Sequence, residues 1–269
     1  MNVPHLRSCN EVLDGGIDKD TIGLVADAIQ LMYEIRDSAG GVKEAHPIGI
    51  LRQWLQYLSM LMDVSVSGIV LLAAHSQALL SSMLFRLPFE YLVRALYFED
   101  HPEEAVFQSF RVARDQKTFY EETSQTADPA FLAAQRLYDD AVVEYPAIAT
   151  NRKPKSIAEM VRQYSHDGPG TYANLYRVRS ALLHGSAFGL TAVLDDSVNG
   201  ALSLTFDVPK DFQNALLVDL AGYVLDFTSC YERILSITRD SRFATLNARL
   251  AAARIKHPDG RIPGFDVPS

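Results

Sequence analysis

The run IVLLAAHSQALLSSMLF, residues 69–85, decides between two fold classes. It approaches the length of a membrane span, but it carries His75, Gln77 and three serines. Polar groups at that depth in lipid would be costly, so the run reads as a core helix of a globular protein. On that reading His75 is a satisfied core histidine and the chain needs other helices to cover the segment.

Working outward, residues 47–63 and 66–99 read as two long helices, with Asp63-Val64-Ser65 as the break and Pro88 as a kink or boundary. Their apolar density predicts central packing. Upstream, Ile22, Leu24, Val25, Ala28, Ile29, Met32 and Tyr33 recur at helical spacing between a capping Thr21 and Arg36. Downstream, helices are predicted at 102–124 and 129–144, the second opened by Asp128 as cap and Pro129 at the first helical position. Pro146 ends it. A short helix near 156–165, a turn at HDGPG (166–170) and a helix from about Thr171 to His184 follow.

GLTAVL and ALSLTF alternate as strands do, and flank DDSVNG. Pairing Leu194 with Leu204, Ala192 with Phe206 and Leu190 with Val208 leaves the loop Val198-Asn199-Gly200. One β-hairpin near 188–208 is therefore predicted in an otherwise all-α chain. Residues 210–238 and 240–256 close it as helices. No repeat or linker divides the chain, so 1–256 reads as a single helical domain and 257–269 as an extended tail.

Composition narrows the function classes. With 25 basic against 33 acidic residues the net charge is −8, which disfavours a protein coated in nucleic acid or lying on anionic lipid. Cys9 and Cys230 form no C-x-x-C pair, and the first residues lack the apolar core of a signal peptide. The cytoplasm is the expected compartment, with no membrane partner. Residues 151–179 depart from the average: six cations, Lys153 and Lys155 among them, face two acids there, a net +4 against −12 elsewhere. Such a stretch permits a local phosphate site and also describes an ordinary solvated face.

Several signatures fail. DDSVNG opens like a calcium loop, but its twelfth position is Phe206 where glutamate is needed. There is no G-x-G-x-x-G, Walker loop, H-E-x-x-H or G-x-S-x-G. Ser165-His166-Asp167 has triad residue types, but neighbours in a turn diverge. Neither metal nor cofactor is expected.

What remains is YRVRSALLHGS, residues 176–186. On a helical wheel Ser180 lies about 40° from His184 and Arg177 about 20°, while Arg179 lies roughly 140° away beside the apolar stripe of Leu175, Val178 and Leu182. Gly185 follows as a C-terminal cap, so His184 sits in the last turn, where the helix dipole favours imidazolium.

Here the chain resembles the HEPN superfamily, all-helical domains whose ribonuclease members carry Arg-x4-6-His. Arg179 fits with four intervening residues and Arg177 with six. RLPFEYLVR, residues 86–94, extends the likeness. It is similar to an uncharacterised bacterial HEPN-like family with an arginine–glutamate helix followed by a Tyr…Ser…His-Gly helix, here Arg86, Glu90, Tyr176, Ser180, His184 and Gly185. The resemblance spans about residues 50–185. It implies a HEPN-like helical bundle with extra helices, and a metal-independent endoribonuclease or RNA-binding protein, a toxin or defence factor in a bacterium.

In that reading His184 is general base or acid, Arg179 or Arg177 holds the phosphate, and Ser180 completes the catalytic set. Tyr176, Lys153 and Lys155 bind substrate. The resemblance also implies a homodimer with the site at its two-fold interface. A different class stays open: a non-catalytic helical module that binds a protein partner or small ligand. There His184 is simply a favourable helix end, Ser180 bonds backbone, and Arg179 pairs with a buried acid. Arg86, Glu90 and Arg94, spaced by four, read as structural ion pairs, and a buried Glu90 would need Arg94 or Arg179 as its partner.

Overall fold

The computed structural model describes residues 17–38, 48–75, 77–150, 152–164, 194–195, 203–204, 210–237 and 241–258. These are mostly helical. Helix α1 spans Lys19–Ser38, α2 Ile48–Ala74, α3 Ala78–Leu84, α4 Arg86–Asp100, α5 Pro102–Glu122 and α6 Pro129–Glu144. A 3-10 turn, Pro146–Ala149, precedes α7 (Ile157–Tyr164); α8 (Lys210–Ile234) and α9 (Arg242–Lys256) follow the two short strands.

Local signals explain most boundaries. Asp128 caps α6 by accepting from the Ala130 backbone N–H at 2.8 Å, with Pro129 next. Ser156 and Glu159 form a reciprocal capping box on α7: the Ser156 N–H donates to Glu159 at 2.8 Å and the Glu159 N–H to Ser156 Oγ at 3.3 Å. These bonds to Ser156, backbone first, lower the Glu159 pKa. Pro88 falls in the first turn of α4, where its missing N–H costs no helical bond.

The centre of the protein is α8. Phe212, Leu216, Leu217, Leu220, Ala221, Val224, Leu225, Phe227 and Tyr231 are buried around its circumference, against α1, α2 and α4. Each large side chain buried there contributes about 1.5–3 kcal/mol. Central packing is thus shared between the expected apolar segments and this later helix. A second apolar cluster, including Phe89, Val93, Phe98 and Met160, forms where α4, α5 and α7 meet. A third joins Phe107, Ala141 and Ile148 beneath the α5–α6 pair.

Three expectations change. No break occurs at Asp63-Val64-Ser65: α2 runs through it to Ala74, because Val66, Ile69 and Val70 continue the buried stripe of Leu58 and Met62 without interruption. The run 69–85 is divided instead after Ala74, with a turn at His75 and the next helix starting at Ala78, so it is two helices and not one. His75 is exposed there, its N–H capping Leu71 O, and it is not a core histidine. Finally, the segment read as a tail from residue 257 begins packed: His257 is buried, with Nε2 3.3 Å from Asp18. Among the described residues one helical stretch, Gly49–Ala74, is long and apolar enough to cross a membrane, and half of its most apolar part is buried in the protein.

Two-residue strands Leu194–Asp195 and Ser203–Leu204 pair antiparallel, with Leu194 opposite Leu204. The remainder of the hairpin expected over 188–208 lies outside the described residues, as does residue 259 onward.

Candidate functional site

Tyr176, Arg177, Arg179, Ser180 and His184, and with them all of YRVRSALLHGS, lie outside the described residues. The second part of the resemblance, RLPFEYLVR, is in place. Arg86 and Glu90 are ion-paired one turn apart on α4, with side chains only 14% and 13% exposed. The burial expected for Glu90 is therefore nearly reached, and Arg86, one turn earlier, supplies a partner. Tyr91, next to Glu90, has its phenol pKa raised by burial first and by the Glu90 charge second.

Arg94 lies one turn beyond Glu90 on the same helix. It donates to Gln108 Oε1 at 3.0 Å, and Gln108 Nε2 donates to Glu104 Oε1 at 3.2 Å. Glu104, in the first turn of α5, is the most deeply buried carboxylate of this region at 1% exposure. It also accepts from the Arg152 guanidinium at 2.5 Å and from the Lys155 backbone N–H at 3.1 Å. The Arg152 guanidinium lies over the Phe107 ring, 4.4 Å from its centroid. A polar chain thus runs Arg94–Gln108–Glu104–Arg152, tying α4 and α5 to the extended segment that leads into α7.

This network sits beside a smaller one. His101 packs on Tyr97 with ring centroids 4.5 Å apart, its Nδ1 lies 3.5 Å from Glu103, and its Nε2 lies 3.0 Å from Gln163 Nε2 on α7. Burial, then Glu104 and Glu103, raise the Tyr97 pKa. Trp54 of α2 closes the junction by donating to Ala105 O at 3.1 Å and Ser109 Oγ at 2.7 Å. With all these groups directed at one another, the junction holds residues 152–156 against the start of α5 and α7 against α4.

That assignment bears on the basic stretch. Arg152 spends its charge on Glu104, and Lys155 Nζ lies 3.9 Å from Glu159. Lys153 is exposed. Of the two lysines expected to meet substrate, Lys153 is the one whose head group is directed to solvent without an ion pair among the described residues. Glu104 went unread because HPEEAVF looks like an acidic first turn placed for the helix dipole. The signal available was its position: Glu104 precedes Phe107 by three and so shares the buried stripe of α5.

Two hollows lie on the surface of the described residues. One of about 260 Å³ lies between α1 and α9, with Asp18, Thr21, Arg249 and Lys256 on its walls. Its charges are mutually engaged, Lys256 with Asp18 at 2.5 Å and Arg249 with Asp27 at 2.6 Å. The other, about 510 Å³, is an apolar groove between α5 and α6 lined by Val112, Phe119, Ala133 and Leu137. Among the described residues no three His, Cys, Asp or Glu side chains group so as to hold a metal ion. No family model, curated protein or solved structure matches the chain.

Proposed function

We propose that the chain is a HEPN-like protein of the bacterial cytoplasm that acts on RNA, as a metal-independent endoribonuclease or as an RNA-binding toxin or defence factor. The observation that carries this reading is the order of two motifs in a mostly helical chain. Arg86 and Glu90 are paired on one helix, and Tyr176, Ser180, His184 and Gly185 follow downstream at the family's spacing. The antiparallel pairing of Leu194 with Leu204 supports the hairpin near 188–208 that accompanies the HEPN-like core.

In this reading His184 takes the proton of a ribose 2′-hydroxyl as its oxygen bonds to phosphorus and the bond to the 5′-oxygen breaks. An arginine, Arg177 by wheel geometry or Arg179 by family spacing, offsets the charge gathered on the phosphate oxygens. Two copies related by a two-fold axis bring their His184 helices to one RNA strand, with Tyr176, Lys153 and Lys155 along it.

A non-catalytic interaction module is the second reading, favoured by the α5–α6 groove, where Val112, Phe119 and Leu137 are each more than half exposed. Incubation with an RNA pool, with and without EDTA, separates the two. Cleavage that persists in EDTA and disappears in His184→Ala is expected. Arg177→Ala should then be stable and inactive, while Arg179→Ala should melt earlier. A wild-type chain that neither cuts nor binds RNA leaves the interaction module standing.

A further inference from the structure

Helix α5 is buried only over Glu104, Ala105, Val106 and Phe107. Beyond that point it pairs with α6, which packs chiefly on α5 and on the 3-10 turn and buries only Ala134 and Ala141 of its 16 residues. The two helices form an arm with a groove of about 510 Å³ along one side. Its lining has the spacing by which one helix faces another: Val112, Gln116 and Phe119 on α5, and Ala130, Ala133 and Leu137 on α6. The short alanine side chains make the hollow, and Val112, Phe119 and Leu137 border it at 51%, 56% and 55% exposure.

The charge around this groove runs against what stabilises a helix. A helix C-terminus carries partial negative charge and favours basic residues in its last turn. Helices α1 and α9 obey this, with Arg36 in one and Arg254 and Lys256 in the other. Helices α5 and α6 do the reverse: neither has a base in its last turn, and they end on Glu122 and Glu144. Tyr120 stacks near Phe131 and Lys117 over Tyr138, so the helices run antiparallel and their C-termini lie at opposite ends of the groove. At 100° per residue Asp140 and Glu144 each fall about 20° from Ala133, so the lining of α6 continues directly into two carboxylates.

Between residues 111 and 144 the arm holds seven acids against four bases. Most of the bases are already engaged: Arg111 and Arg114 lie 3.3 and 3.8 Å from Asp115, and Lys117 lies 3.5 Å from Glu121. Glu122, Asp140 and Glu144 are exposed and have no ion pair among the described residues, and Arg136, on the outer side of α6, is the base left to offset them. The groove is thus apolar in the middle and anionic at both ends.

From this we infer that the groove takes an amphipathic helix of another protein, with large aliphatic side chains at three- and four-residue spacing in its middle and lysine or arginine at both ends. The aliphatic side chains fill the hollow over Ala130 and Ala133. The cations meet Glu122 at one end and Asp140 and Glu144 at the other, which offsets the charge that those helix ends gather. From Ala130 to Glu144 α6 rises about 21 Å, so a partner helix of about 15 residues spans the groove. RNA and an anionic membrane are both disfavoured by the same carboxylates, since their phosphates carry like charge. A single helix covers less than the ~800 Å² per partner of a standard interface, which places the affinity in the micromolar range. The inference gives a partner to the interaction reading of this groove, on which it rests, and leaves the RNA reading untouched.

The test uses the full chain and a fluorescein-labelled peptide of about 15 residues, with leucines at that spacing in its centre and lysines at each end. Anisotropy titration should give a Kd below about 100 µM for the wild type. The triple variant Glu122→Lys, Asp140→Lys, Glu144→Lys should weaken binding at least about tenfold, as should a peptide with glutamate in place of lysine. Circular dichroism should show the triple variant folded, since it sets bases where helix ends favour them. Ala133→Glu separates the groove from its charge. It makes the arm more acidic, so attraction by charge alone would tighten binding, whereas a carboxylate in the apolar hollow should weaken it at least about tenfold. Absence of binding, equal binding of the two peptides, or a triple variant or Ala133→Glu that binds as the wild type does would each overturn the proposal. Equal binding removes the charge argument and keeps the groove as an interaction site, while no binding of either peptide removes both. Self-association of the free chain that Ala133→Glu abolishes would give the groove to a second copy and overturn it as well. None of these outcomes depends on RNA cleavage.

Discussion

Replacing Arg152 by alanine should destabilise this protein more than replacing its partner Glu104, although the same contact is lost either way. The asymmetry follows from where each group ends. Glu104 is 1% exposed and the Arg152 side chain is 37% exposed. Without Glu104 the guanidinium turns to water, and the loss is two hydrogen bonds at about 1 kcal/mol each plus a small cavity, together about 2–3 kcal/mol. Without Arg152 the carboxylate keeps only the Gln108 amide and the Lys155 N–H. An anion left in that position costs about 3–5 kcal/mol, and the cation–π contact with Phe107 goes too. At about 2–4 °C per kcal/mol for a chain of this size, Arg152→Ala should lower the melting midpoint by roughly 6–20 °C. Glu104→Gln, which keeps the shape and removes the charge, should fall between the wild type and Arg152→Ala. Urea titrations of the three variants provide the free energies. Arg152→Ala within 1 kcal/mol of the wild type, or Glu104→Ala the worse of the pair, would refute the argument that burial of the acid decides the cost.

The Tyr231 hydroxyl, on a ring at 0% exposure, has no hydrogen-bond partner among the described residues, and burial pushes its pKa up to about 12. Tyr231→Phe should therefore be neutral or stabilising by about 1 kcal/mol; a loss of more than that in the same urea titration contradicts it. Asp18, whose pKa is lowered chiefly by the hydrogen bond from Lys256, links the start of α1 to the end of α9. A depressed folded-state value means that its stabilisation is complete above the unfolded carboxylate value of about 4 and is lost as pH falls through the folded value. Between pH 6 and pH 3 the wild type should lose more stability than Asp18→Asn, and parallel slopes would rule the linkage out.

What could be read in the sequence, and what could not, divides by distance along the chain. Helix ends at Asp128, Ser156 and Pro88 depend on residues within four positions of one another, and each lies where its local chemistry put it. The division of 69–85 at His75 is as local, yet it was hidden by apolar neighbours on both sides. Leu72, Ala73 and Ala74 carry the helical pattern up to the turn, and Ser81 and Ser82, which read as polar interruptions, are buried inside the next helix. Polarity alone therefore misplaced the break by twelve residues, setting it at the acidic Asp63 where the turn comes at His75. The role of Glu104 was invisible for a different reason, since its partners stand 48 and 51 residues away.

The same distance argument applies to the candidate site. Arg86 and Glu90 were legible because a four-residue spacing fixes them on one helix face, and that pair is present. Arg152 was counted with the cations that could face a phosphate, because a charge count records sign and number without asking which acid lies across the fold. Removing it and Lys155, whose head group stands near Glu159, leaves Lys153 as an exposed cation with no ion pair among the described residues of that stretch. Arg162 sits on α7 two turns beyond Ser156; α7 packs on α4, with Gln163 against His101, and the Glu104 network fastens the segment that leads into it. A phosphate site built from this stretch would therefore depend on the buried acid indirectly: Glu104 fixes the segment, and the segment presents Lys153. Under the proposed RNA reading, Arg152→Ala should weaken RNA binding by unfastening the segment before α7, whereas Lys153→Ala should weaken it with the fold intact.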